Sequence, residues 1–236
     1  MRRTTIHRIQ RVLLLIGFLA IVAVGTLGAR MAGMQAPPVD TPGTDAAPQP
    51  LAHAESTYSV ALISGHAGSD SGAVCTDAAG AVLVTEAEIN ARVAEQAAAR
   101  LQLAGAHVEI MEEFDSRLEG LHADVLLSLH ADSCIDASGY KAARHAASTI
   151  GDVESHLLGC IDSRYPAATG LAPHPNTVTH DMTLYHAFRR IAPTTPAAIL
   201  EMGFLGGDQT LLTAGSARVA QGVADSLLCF LDGQNP

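Results

Sequence analysis

The chain has 236 residues, of which 48% are hydrophobic and 16% charged, and its formal net charge is −10. No basic cluster lies beyond the first eleven residues, so the charge pattern argues against nucleic acid as a partner. Residues 57–236 are enough for one domain with a hydrophobic core and too few for two.

The N-terminus has the features of a targeting signal. Residues 12–29 contain no charged side chain and follow four arginines. A helix of this length measures about 27 Å, close to the roughly 30 Å hydrocarbon core, so residues 1–30 are predicted to be a signal anchor or a signal peptide. Leu27 interrupts the nearest cleavage pattern of small residues, which favours an uncleaved anchor. In either case the remaining chain is expected outside the cytoplasm, anchored to the membrane or secreted.

A linker and then a regular alternation of elements follow. Residues 31–56 contain five prolines and cannot bury a core, so they are predicted to be a Pro/Ala-rich linker. Strands are predicted at residues 58–64, 81–84, 107–111, 123–130 and 197–202. Helices are predicted from Thr85 to a stop at Gly105, at 152–164 and at 216–231, and a loop with Pro166, Pro173 and Pro175 follows the second helix.

This order of elements predicts the fold class. Strands that alternate with helices form a mostly parallel α/β sheet with helices on both faces, within a single domain. In such sheets ligands bind beyond the carboxyl ends of the strands. His66, His130 and Glu201 all stand at predicted strand ends, so the sequence predicts that these three side chains lie at one edge of the sheet.

Two glutamates compete for a place beside them. Thr85 and Glu88 have the spacing of a capping box, in which the Glu88 carboxylate returns to the Thr85 N–H and has a structural role. Glu86, at the first helical position, is freer to face the strand ends, although it could also only complement the helix dipole. Two histidines and a carboxylate with an open fourth position are typical of catalytic zinc sites, and a further carboxylate would serve as general base.

The four cysteines form an even set in an oxidising compartment, which predicts one or two disulfides. Cys75 and Cys134 are the preferred pair, because each closely follows a candidate metal histidine. Four small buried thiols are an equally compatible alternative.

Four segments carry a resemblance to a known family: SGHAGSDSGAV at residues 64–74, TEAEIN at 85–90, ADVLLSLHAD at 123–132 and PAAILEMGFL at 196–205. In these motifs the chain resembles the zinc-dependent N-acetylmuramoyl-L-alanine amidases, which cut the bond between the glycan and the stem peptide of peptidoglycan. The resemblance covers most of the chain from residue 60 to residue 231. It implies that residues 57–236 are a zinc amidase catalytic domain with peptidoglycan as its substrate.

Matched motif by motif, the resemblance implies that His66, Glu86 and His130 are the zinc ligands and that Glu201 is the catalytic glutamate. An asparagine four residues after Glu86 stands where the family's glutamate motif usually has one, which supports Glu86 over Glu88. The family commonly has asparagine at the position of Asp132, and residues 133–195 match it poorly, so no substrate contacts are assigned there.

Two other functions are compatible with these residues. A zinc peptidase could cut within the stem peptides of the wall, because a fold does not fix the scissile bond. A non-catalytic wall-binding or regulatory protein could use the same fold, although the presence of all four site residues argues against it. His174, His180 and His186 lie in the loop before Glu201, and one of them could also line the cleft.

Overall fold

The computed structural model describes residues 58–174 and 177–234. The predicted signal segment at residues 1–30 and the linker at 31–56 lie outside these described residues. Within the described ranges, no helix is long and apolar enough to cross a membrane.

The described chain forms seven strands and five α-helices. The strands are β1 (Tyr58–Ser64), β2 (Val74–Thr76), β3 (Val82–Thr85), β4 (Ala106–Met111), β5 (Val125–Asp132), β6 (Lys141–Ala143) and β7 (Ala197–Phe204). The helices are α1 (Glu86–Leu103), α2 (Gly151–Thr169), α3 (His180–Thr183), α4 (Gln209–Thr213) and α5 (Ser216–Asp232). Short 3-10 turns lie at Ser116–Leu118 and His186–Arg189.

The central sheet has five strands in the order β4-β1-β5-β7-β6. β1 runs parallel to β4 and β5, and β5 runs parallel to β7, whereas β6 at the edge is antiparallel to β7. β2 and β3 form a separate antiparallel hairpin that leads into α1. The predicted mostly parallel α/β sheet is confirmed, and the carboxyl ends of three adjacent strands, β1, β5 and β7, meet at one edge.

The two faces of the sheet are covered differently. On one face α1 buries the predicted stripe from Ile89 to Leu101, and α5 contacts both α1 and α2 over a shared hydrophobic core. The other face is covered by short helical turns and loops, whose buried side chains include Met182, Tyr185 and Phe188. Helical segments therefore flank both faces, but the long helices all lie on one.

The predicted end of the second helix was wrong. α2 continues through Pro166, which the sequence analysis placed in a loop. A proline removes one backbone hydrogen bond and disfavours a helical conformation of the residue before it. That residue, Tyr165, is fully buried, and its hydroxyl donates to the Met202 carbonyl at 2.6 Å. We attribute the continued helix to this packing against β7. α2 ends at Thr169, and Gly170, whose φ is 80°, is its C-cap.

Two disulfides link distant parts of the domain. Cys75 of β2 pairs with Cys134, just beyond β5, which is the predicted pair. Cys160 of α2 pairs with Cys229 of α5. The alternative of four unpaired thiols is therefore wrong.

Candidate metal and active site

His66 is the first side chain of the candidate site, and the backbone turns sharply to present it. It follows β1 with a φ of 66°, and among the described residues it is the one non-glycine residue with a positive φ. A side chain held in the left-handed region costs free energy and is a frequent mark of functional sites. The His66 Nδ1 atom lies 2.6 Å from Oδ1 of Asp70, so the opposite ring nitrogen, Nε2, faces the site.

Glu86 brings a carboxylate to the same place from the first position of α1. It is buried, and its Oε2 accepts the Ala73 N–H at 3.0 Å while its Oε1 accepts the Ala131 N–H at 3.2 Å. The capping box predicted at the start of α1 is present, with Glu88 exposed and bonded to the Thr85 N–H. Glu88 thus has the structural role expected of it, and Glu86 faces the strand ends.

His130 lies near the carboxyl end of β5 and is buried. Its Nδ1 is 3.0 Å from Oε1 of Glu86, and the same oxygen is 3.2 Å from Nε2 of His66. Room for the His130 ring depends on Gly65, where an added Cβ would lie 2.5 Å from the ring carbon Cε1. The close approach of β1 to β5 at this level therefore requires glycine.

Together the three side chains have the donor set of a metal site. Their nearest donor atoms all lie within 4.8 Å of one another. Donor atoms about 2.1 Å from a tetrahedral ion are separated by about 3.4 Å, close to the two distances measured to Glu86 Oε1. Burial lowers the pKa of His130, but its hydrogen bond with Glu86 and the charges of Glu201 and Glu113 together raise it above its usual value. The surroundings are thus strongly anionic and suit a cation.

Glu201 stands beside this group on the next strand. It pairs in register with His130 across β5 and β7, and its Oε2 is buried with no hydrogen-bond partner among the described residues. Burial raises the pKa of Glu201 to about 7, His130 opposes the rise, and the charges of Glu86 and Asp132 add to it. Glu201 does not belong to the three-residue donor group.

A partly buried ion pair flanks Glu201 at the edge of the sheet. Lys141 of β6 lies in register with Glu201 and bonds to the carboxylate of Asp132. Lys141 is buried, and Asp132 is partly buried. Asp132 replaces the asparagine common in the family. Its partner, Lys141, lies within residues 133–195, the segment in which no substrate contacts were assigned.

Glu113 is the site residue that the sequence analysis missed. It is buried, two residues beyond β4, and its Oε2 accepts the His66 N–H at 2.9 Å. Its Oε1 accepts the Tyr185 hydroxyl at 2.8 Å and lies 2.8 Å from His186 Nε2. Burial alone would raise its pKa, but the hydrogen bond from His186, the charge of His130 and the other bonds lower it to about 2.

A signal for Glu113 was present in the sequence, because it follows the predicted strand at residues 107–111. The three histidines of the loop before Glu201 lie in different places. His186 reaches the site through Glu113, whereas His174 bonds to Thr177 and packs on Phe204, and His180 is exposed at the start of α3.

The fold and the site define a class of protein. Two imidazoles and a carboxylate converge at the strand ends of a parallel sheet, with a further carboxylate on the neighbouring strand, an arrangement typical of hydrolases that activate water with a metal.

Comparisons with known proteins give the family. The family model described as N-acetylmuramoyl-L-alanine amidase matches residues 60–228. The chain belongs to this family of cell-wall hydrolases that act on peptidoglycan.

Solved structures with a similar fold include the catalytic domain of CwlV, an N-acetylmuramoyl-L-alanine amidase from Bacillus (Paenibacillus) polymyxa var. colistinus, at 23% identity and a TM-score of 0.54, covering 74% of this chain and 98% of that one. The N-acetylmuramoyl-L-alanine amidase of Clostridium difficile 630 has 20% identity and a TM-score of 0.59, and the match covers 76% of this chain and 100% of that one. The N-acetylmuramoyl-L-alanine amidase AmiC2 of Nostoc punctiforme has 18% identity and a TM-score of 0.56, and the match covers 74% of this chain and 97% of that one. No match was found among curated proteins.

Proposed function

We propose that this chain is a zinc-dependent amidase that hydrolyses the bond between N-acetylmuramic acid and L-alanine in peptidoglycan. One observation carries the zinc dependence: donor atoms of His66, Glu86 and His130 lie within 4.8 Å of one another. Two imidazoles with one carboxylate favour zinc over magnesium or calcium, which prefer ligand sets made of oxygen atoms. The family supplies the peptidoglycan substrate.

The four residues have distinct roles in this proposal. Zn²⁺ held by His66, Glu86 and His130 would polarise the substrate carbonyl and lower the pKa of a water molecule toward about 7. Glu201 accepts a proton from the attacking water, because its Oε2 has no other hydrogen-bond partner among the described residues. The same carboxyl group then gives the proton to the nitrogen of L-alanine, so that the amine leaves without a negative charge.

The proposed enzyme acts outside the cytoplasm. The family's role in the cell wall fits an extracytoplasmic location. We infer that residues 1–30 hold the chain at the membrane or direct its export, and that residues 31–56 are a linker to the catalytic domain at 57–236.

Metal analysis and one substitution test the zinc site and the base. The purified full-length protein is expected to contain one zinc per chain. Glu201→Gln is expected to keep this zinc and to lose about 10²- to 10⁴-fold in turnover on peptidoglycan, because proton transfer by a positioned side chain contributes about that factor. Glu88→Gln is the matched control and should turn over at the wild-type rate. A Glu201→Gln enzyme with full activity would rule out the assigned base.

Product analysis tests the scissile bond. Mass spectrometry of digested peptidoglycan should show glycan chains free of peptide together with intact stem peptides. Shortened stem peptides would instead identify a zinc peptidase. Peptidoglycan binding without zinc and without turnover would identify a non-catalytic wall-binding protein.

A further inference from the structure

Both candidate metal histidines contact the same buried carboxylate, Glu113. Glu113 is 7% exposed and lies two residues beyond β4, the strand that pairs with β1. It contacts His66 through the backbone N–H and faces His130 through the ring. Glu113 is absent from the group of side chains whose donor atoms could surround one ion, so it stands behind the ligands rather than among them.

The contact with His130 bears on the orientation of its ring. Nδ1 of His130 faces Glu86 at 3.0 Å, whereas Nε2 on the other side of the ring is 3.6 Å from Oε2 of Glu113. Nε2 is buried and has no hydrogen-bond partner in the described part of the chain, and 3.6 Å is too long for a hydrogen bond. Glu86 and Glu113 thus face opposite nitrogens of the ring, which favours the ring orientation that turns Nδ1 toward the candidate metal site.

The contact with His66 stabilises the backbone conformation of that residue. The His66 N–H donates to Glu113 Oε2 at 2.9 Å, at the one non-glycine residue among those described whose φ is positive. This bond supports a conformation that the backbone of histidine rarely adopts. The His66 ring has a carboxylate of its own, because Nδ1 lies 2.6 Å from Asp70. Each histidine is therefore backed by an acidic side chain.

Three further groups hold Glu113 in place. The hydroxyl of Tyr185 and Nε2 of His186 each lie 2.8 Å from Glu113 Oε1, and the Ser128 hydroxyl donates to the Tyr185 oxygen at 3.0 Å. Ser128 lies on β5 two residues before His130, so the network returns to the strand that carries the ligand. A buried carboxylate with this many donors has little freedom to move.

We propose that Glu113 is a positioning residue of the metal site, which orients the ring of His130 and holds the backbone of His66. The proposal rests on the zinc site proposed above. Carboxylates behind metal-bound histidines orient the rings and make them more basic, and their loss typically weakens metal binding about 10- to 100-fold.

Zinc affinity of the full-length protein, measured by competition with a coloured chelator, tests this role. Glu113→Gln has nearly the same shape but lacks the charge, and we expect its zinc affinity to fall about 10- to 100-fold. Glu113→Asp keeps the charge on a shorter side chain and should lie between this variant and the wild type. Glu112→Gln is the matched control, since Glu112 is adjacent in the chain but exposed, and its affinity should not change.

A second readout separates positioning from stability. With Co²⁺ in place of zinc, the visible absorption bands of Glu113→Gln should shift relative to the wild type, and those of Glu112→Gln should not. A purely structural Glu113 would change the melting temperature of the metal-free protein and leave these bands in place, which would overturn the proposal.

The remaining outcomes are also decisive. Wild-type zinc affinity in Glu113→Gln would overturn the positioning role while leaving the proposed function intact. If Glu113→Gln fails to fold, the zinc affinity of Glu113→Asp is used instead, and a value equal to that of the wild type would overturn the proposal. A wild-type protein that binds no zinc would instead refute the proposed function itself.

Discussion

Replacing Gly65 with alanine should destabilise the domain through a steric clash between β1 and β5. A Cβ at this position would lie 2.5 Å from Cε1 and 2.6 Å from Nε2 of His130, and 2.7 Å from the carbonyl oxygen of Leu129. Gly65 does not have a positive φ, so the substitution brings little backbone strain. The Gly65 N–H also donates to the Leu129 carbonyl at 3.0 Å, so the two strands cannot separate without losing a hydrogen bond.

The expected cost follows from overpacking a closely packed interior, which is about 1–3 kcal/mol. Gly159→Ala provides the control, because Gly159 lies within α2 and a Cβ there would meet nothing within 4 Å. In a helix interior this change should stabilise the protein by about 0.5–1 kcal/mol. The same chemical substitution is therefore expected to have opposite signs at the two positions.

Urea unfolding of the metal-free proteins, prepared with a chelator, measures both changes without a contribution from metal binding. The midpoint should fall for Gly65→Ala and rise for Gly159→Ala. A Gly65→Ala protein as stable as the wild type would show that the strands have room for a methyl group. That result would refute the close contact between the His130 ring and the backbone of β1.

Three further changes test other parts of the structure. Replacing Cys160 and Cys229 with alanine opens a bridge across 69 residues and should lower the free energy of unfolding by about 4 kcal/mol, measured by urea denaturation; a reductant should then have less effect on the variant than on the wild type. Lys141→Met should cost about 1–3 kcal/mol by leaving the partly buried carboxylate of Asp132 unpaired, and adding Asp132→Asn should restore much of this loss in a double-mutant cycle. Thr85→Ala should cost about 1 kcal/mol in thermal unfolding through loss of the α1 cap; no loss would contradict the capping box.

Local patterns in the sequence were sufficient where one element determines the position of a side chain. The strand ends predicted His66, His130 and Glu201 at one edge, and helix capping favoured Glu86 over Glu88 as the residue facing it. The structure brings His66, Glu86 and His130 together and places Glu201 on the adjacent strand. Their roles as ligands and base stay predictions until metal and activity are measured.

Features that depend on the order of strands could not be predicted in this way. Glu113 follows a predicted strand, but it approaches His66 because β4 pairs with β1, and its sequence neighbours do not reveal that pairing. β6 has only three residues, too few for a periodic pattern, so the ion pair of Lys141 with Asp132 was also missed. Pro166 had the local signal of a helix end, and the packing of Tyr165 against a distant strand overrode that signal.

The two disulfides make the stability of the domain depend on whether its surroundings are reducing or oxidising. One bridge joins β2 to the segment after β5, and the other joins α2 to α5. Each closes a long loop and is worth about 4 kcal/mol in the chain-entropy account, against a net stability of about 5–15 kcal/mol for a typical domain. In the reducing cytoplasm neither bridge would persist. A domain made in a reducing compartment would thus fold weakly there and gain this stability only after oxidation.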